Sequence, residues 1–101
     1  MIPGTVTDAL TTDVPLDGLT GLVELTDNVG IWEMTPGVDE DVEDDEIFIV
    51  LTGAGTVEFL DDEGKPALPT ITLRPGSVVR LTAGMRTRWT VTETLRKIWI
   101  T

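Results

Sequence analysis

With neither histidine nor cysteine among its 101 residues, the chain must draw any chemistry from carboxylates, hydroxyls, lysine and arginine. The usual general base near neutral pH, the commonest metal ligand and every thiolate site are missing. Glu46 is the carboxylate with the most unusual setting, closing an acidic run and opening the apolar run Ile47 to Leu51. A carboxylate among apolar neighbours has a raised pKa unless a cation pairs with it. Arg86 and Arg88, in the segment Arg86-Thr87-Arg88-Trp89, are the expected partners. Two roles stay open for Glu46: a general acid, base or anchor for a substrate amine, or one half of a buried ion pair.

Seven of the eight residues from Asp39 to Glu46 are acidic, and so dense a block of like charge predicts a solvated loop. In an extended segment Asp39, Asp41 and Glu43 would share one side, which is the arrangement that could hold a hard cation such as Ca²⁺ or Mn²⁺. The glycine-bearing pattern of an EF-hand loop is not present. Trp32, Trp89 and Trp99 are the largest apolar groups and are expected in the core and a subunit interface. Local charge pairing explains Glu93, Arg96 and Lys97 as well as any site does.

These residues need strands to position them. Residues 73–91, LRPGSVVRLTAGMRTRWTV, read as turn, strand, turn, strand, with Pro75 fixing φ, Gly76 accepting a positive φ and Ala83-Gly84 sending Thr87 to Val91 back across Val78-Val79. Upstream, Leu22 to Leu25 and Ile31 to Thr35 form strands around the turn at Asn28 to Gly30. Ile47 to Leu51, apolar on both faces, predicts a central strand, and Thr52 to Gly55 predicts a hairpin turn that returns Thr56 to Leu60. Asp61 to Gly64 is the next turn, before a strand at 70–73 and a final pair at 87–92 and 95–100 separated by Glu93-Thr94. No stretch keeps a helical apolar period, so the reading is an all-β sandwich or barrel. Residues 1–27 are an extended arm with the first short strand, and 28–101 the barrel.

A chain this short builds one domain with a modest core, and small β domains often pair, so a homodimer is expected. Eighteen acids against seven bases give a net charge of -11, which repels phosphate backbones and anionic membrane surfaces and argues against both as partners. The N-terminus lacks a basic region followed by a long apolar core, and no apolar run is long enough to span a bilayer. A cytoplasmic protein is expected.

The order Glu46, Gly53, Pro75-Gly76, Ala83-Gly84 resembles the two signature segments of the cupins, small β-barrels of jelly-roll type. More particularly, GIWEMTPG at 30–37, EIFIVLTGAGTVEF at 46–59 and GMRTRWTVTETLRKIWI at 84–100 are similar to the single-domain cupins related to ureidoglycine aminohydrolase and the ethanolamine-utilisation cupins. The resemblance implies a cupin-type jelly-roll barrel in one domain. It also implies where a metal site would be: two histidines and a glutamate from the first segment, one histidine from the second. Glu46 fits the glutamate, while the histidine places fall between Asp39 and Val42 and at Thr87, so three of the four ligands are not retained and no metal or other cofactor is expected.

If Glu46 points into the barrel as the resemblance implies, alternation carries Phe48 and Val50 inward, and a Thr87 in the histidine place carries Trp89 and Val91 with it. Glu46, Phe48, Thr87 and Trp89 then line a small cavity, with Arg86 and Arg88 beside them, or they simply fill the barrel. The leading expectation is a metal-free barrel binding a small amine-bearing or cationic molecule near Glu46. The alternatives are a metal-assisted enzyme using Glu46 with Asp39 or Asp41, and a structural or interaction module whose pocket is filled.

Overall fold

Two strands of 15 residues each, β5 (Glu46–Leu60) and β8 (Arg86–Ile100), run antiparallel along almost their whole length and carry the other elements of the computed structural model, which describes residues 1–101. Those others are β1 (Leu16–Asp17), β2 (Thr20–Thr26), β3 (Val29–Met34), β4 (Gly37–Val42), β6 (Pro66–Leu73) and β7 (Val78–Leu81), and there is no helix. The C-terminal half of β8 pairs with β3 and its N-terminal half with β4. The start of β5 pairs with β7 and its end with β6. The shared long pair thus belongs to two sheet halves, β1-β2-β3-β8-β5-β7 and β4-β8-β5-β6, whose inner faces enclose the core.

The expected hairpin at Thr52 to Gly55 is not a turn. The chain continues straight through it, and the β5–β8 register shifts between Val50 and Gly55 while Gly53 takes a φ of 95°. A bulge of this kind inserts a residue and exchanges the two faces of the strand. Before it Phe48 and Val50 are buried; after it Val57 and Phe59 are. Even-numbered side chains face inward on one half and odd-numbered ones on the other, so a single strand can line both sheets. The break expected at Glu93-Thr94 is likewise absent, Glu93 lying opposite Ala54 within β8.

The acidic run is also not a loop throughout. Its first part is β4, hydrogen-bonded to β8 with Asp39 opposite Trp89 and Asp41 opposite Thr87. Its second part is fastened to the Ala83-Gly84 turn: the Gly84 N–H donates to the Glu43 carbonyl at 2.9 Å, the Glu43 N–H to the Met85 carbonyl at 2.8 Å, and the Ala83 N–H to Asp45 Oδ1 at 2.9 Å. Glu43 and the start of β8 are held together by these bonds.

The core comprises Met34, Phe48, Val50, Val57, Phe59, Leu73, Leu81, Trp89, Val91 and Leu95; burial of such side chains stabilises the fold by about 2 kcal/mol each. The N-terminal residues pack on the outer side. Val14 is buried there, and Arg96 donates from Nη1 to the carbonyls of Ala9 at 3.0 Å and Thr12 at 2.6 Å while its Nη2 lies 3.0 Å from Glu33. Arg96 therefore makes a charge pair, across the strands to Glu33, and is also a strap for the arm.

Candidate functional site

Lys97 follows Thr87, Trp89, Val91 and Leu95 on the inner face of β8, and its ammonium sits in a box of rings. Nζ lies 4.3 Å from the ring centroid of Phe48, 4.7 Å from that of Trp32 and 4.8 Å from that of Trp89. Trp89 packs in turn on Trp32 and Phe48 with centroids 5.2 and 5.4 Å away. The ion partner is Glu46, with Nζ to Oε2 at 3.2 Å and side chains only 5% and 15% exposed for Lys97 and Glu46. Ring faces attract a cation, and the carboxylate holds it charged. Burial opposes both and pushes the Lys97 pKa below its ordinary value, with Glu46 and then Glu43 pulling it back up.

The second buried acid is Glu43. Its Oε2 accepts the Thr87 hydroxyl at 2.7 Å and Trp89 Nε1–H at 3.1 Å. Burial raises the Glu43 pKa against the lowering effect of those two bonds; Asp41 adds to the rise and Lys97 reduces it. Glu43, Thr87 and Trp89 thus fix the indole that walls the lysine.

A cavity of about 560 Å³ opens above this cluster. Trp32, Trp89, Trp99, Leu22 and Lys97 form its walls, and Glu24, Asp39, Glu40, Asp41, Glu43, Asp44 and Glu46 line the remainder together with Thr20 and Thr101. Gly30 makes room for Trp99, since a Cβ there would run into the indole ring. Trp99 Nε1 is buried with no hydrogen-bond partner.

Of the residues expected to form a site, Glu46, Phe48, Thr87 and Trp89 do converge. Only Glu46 and Trp89 line the cavity. Phe48 and Thr87 are buried beneath it, with 0% and 1% exposure. Arg86 and Arg88 alternate to the outer face of β8, where Arg88 binds Glu40 at 2.8 Å and lies 3.6 Å from Glu58. The partner of Glu46 is Lys97, correcting the expected arginine. Lys97 shares the odd-numbered parity of Thr87 and Trp89, and Glu43 that of Asp39 and Asp41, so both were open to inference from strand alternation.

No three carboxylates come close enough together to hold a metal ion. The place next to Glu46 is taken by an ammonium, so a cupin-type metal does not fit these residues.

A family model described as EutQ-like cupin domain matches residues 24–99. The EutQ protein of Clostridium difficile has a structure similar to this one at a TM-score of 0.69 and 19% identity, over 91% of this chain and 81% of that one. A protein of unknown function (DUF1255) from Acidithiobacillus ferrooxidans gives 0.69 and 24%, over 100% and 99%. A DUF861 family protein from Thermotoga maritima gives 0.54 and 30%, over 68% and 73%. No curated protein matches the chain.

Proposed function

The chain belongs to the EutQ-like cupin domain family, and from that premise we propose that it is a metal-free barrel binding a small molecule that carries an amine or another cationic group. One observation carries the reading: seven carboxylates line a cavity walled by three indoles, and while Glu46 is paired with Lys97 and Glu40 with Arg88, Glu24, Asp39, Asp41 and Asp44 form no ion pair. The remaining carboxylates attract a cation to the mouth, and the indole faces receive its alkyl or ammonium part. The 560 Å³ volume supports an open interior over a filled one.

The test is thermal unfolding with ethanolamine, other small monoamines, a quaternary ammonium and carboxylates of matched size. Amines are expected to raise Tm with concentration as a ligand of the folded state does, carboxylates to leave it unchanged. The Asp39→Asn, Asp41→Asn double variant should bind amines several-fold more weakly. Carboxylates that stabilise as well as amines do would overturn the reading.

We take the protein to be cytoplasmic, free of nucleic-acid and membrane partners, and homodimeric. A net charge of -11 supports the first exclusion, and no helix is long and apolar enough to cross a membrane. Ile47 and Ile100, opposite one another on the outer face and 42% and 39% exposed, with Val78 at 66% opposite Ile49, supply an apolar patch for a second copy. Sedimentation analysis checks it, a monomer at all concentrations counting against the dimer.

A further inference from the structure

We propose that Lys97 is a covalent site: the cavity takes small aldehydes or ketones and holds them as imines on Nζ. The inference shares the cavity with the amine reading but rests on different atoms, since amine capture is carried by the carboxylates of the mouth and imine formation by the lysine.

Three features of the geometry bear on it. First, Lys97 lines a cavity large enough for a small organic molecule while its side chain is only 5% exposed. A lysine kept only as a structural ion pair needs no such space beside it. Second, the Glu46 carboxylate is 3.2 Å from Nζ, within reach to accept and return a proton. Third, Trp32, Phe48 and Trp89 place ring faces around the nitrogen at 4.3 to 4.8 Å. Those faces favour the delocalised cation of a protonated imine as they favour the ammonium. Burial, which moves the Lys97 pKa down, increases the share of free amine about tenfold for each pKa unit, and a lysine desolvated in an apolar pocket is a recognised way to activate this nucleophile.

The steps balance without any oxidant or reductant. Nζ gives a proton to the Glu46 carboxylate. Its lone pair then forms the C–N bond as the carbonyl π pair moves to oxygen, and a second proton passes from nitrogen to that oxygen. The neutral carbinolamine loses its oxygen as water, taking the proton held by Glu46, as the nitrogen lone pair closes the C=N bond. The net change is Lys97 ammonium plus carbonyl giving protonated imine plus water, with Glu46 again a carboxylate.

The chain contains two lysines, Lys65 and Lys97, and one terminal amine. Lys65 is 73% exposed on the turn after β5, so an internal control is built in. The folded protein is treated with limiting propanal, and separately with betaine aldehyde, in the presence of cyanoborohydride, and the adduct is located by peptide mapping. Lys97 is expected to be labelled ahead of Lys65, and Lys97→Arg to lose that label while Lys65 labelling persists. A larger Lys97-to-Lys65 labelling ratio with betaine aldehyde than with propanal supports both readings; equal ratios above one support the imine and count against the cationic mouth. Labelling of Lys65 ahead of Lys97 by both aldehydes overturns the proposal. The wild-type distribution decides this even if Lys97→Arg does not fold.

Discussion

Glu43 sits where burial and hydrogen bonding pull its charge in opposite directions. Removal from water favours the neutral acid, while the Thr87 hydroxyl and the Trp89 indole donate to it and Lys97 attracts the anion. Burial prevails, and the folded pKa lies above 4.5. The folded protein therefore keeps this proton at pH values where the unfolded chain has released it. Its contribution to stability is full below 4.5 and is lost as pH rises through the folded value. Lys97 works in the other direction: lowered from 10.5, it contributes above that pH and loses the contribution as pH falls through its folded value. Glu43→Gln removes one titration and leaves an amide oxygen for the same two donors. Urea unfolding of both proteins from pH 4.5 upward should show wild type losing stability relative to the variant as pH rises. A difference that stays flat means that the carboxyl holds no extra proton. Glu46 stood out in the sequence as an acid at the head of an apolar strand, whereas Glu43 was hidden among like neighbours in the acidic run. Lys97 was masked by the adjacent charges of Arg96 and Glu93, and only the parity set by Thr87 and Trp89 separates it from them.

At the scale of elements, the bulge in β5 decides whether the two sheet halves can share a strand. Gly53 takes φ 95° there, and an added Cβ would fall on the Thr94 carbonyl and 2.5 Å from the Leu95 Cα. Both are backbone of the neighbouring strand, which cannot yield as a flexible side chain would. Gly53→Ala combines that collision with a disfavoured backbone, and a loss of roughly 2–4 kcal/mol is expected. In urea this appears as a lower midpoint with an unchanged slope; a midpoint within error of wild type would show that β5 passes this point by another route. The same glycines explain what was legible in the fold. Turns at Asp61 to Gly64, Pro75-Gly76 and Ala83-Gly84 have the composition of turns and are turns. Thr52 to Gly55 has that composition too, but its glycines serve close backbone contact and a change of face, which local sequence does not distinguish from chain reversal. The β4 strand was obscured for a related reason: its carboxylates are tolerated because Asp39 and Asp41 face the open cavity and Glu40 meets Arg88 outside.

The whole molecule carries eighteen acids and seven bases, and this excess sets two salt responses of opposite sign. Like charges spread over a small domain repel one another more when folded than when the chain is expanded. Between about 10 mM and 0.5 M NaCl the screening length falls from about 30 Å to a few ångströms, which removes most of that repulsion. The attractive pairs offer little counterweight: Lys65–Glu63 is exposed, Arg88 is half-exposed, and Lys97–Glu46 and Arg96–Glu33 are too buried for salt to reach effectively. The urea midpoint should therefore rise with NaCl. Amine binding should weaken over the same range, because the mouth of the cavity draws on exposed carboxylates that salt screens. One titration, with stability and amine affinity measured in the same buffers, reads both slopes. A midpoint that falls with salt would mean that ion pairing outweighs repulsion in this fold. An amine affinity indifferent to salt would remove the carboxylate mouth from recognition and leave the indoles and Lys97 as the only groups able to select a ligand.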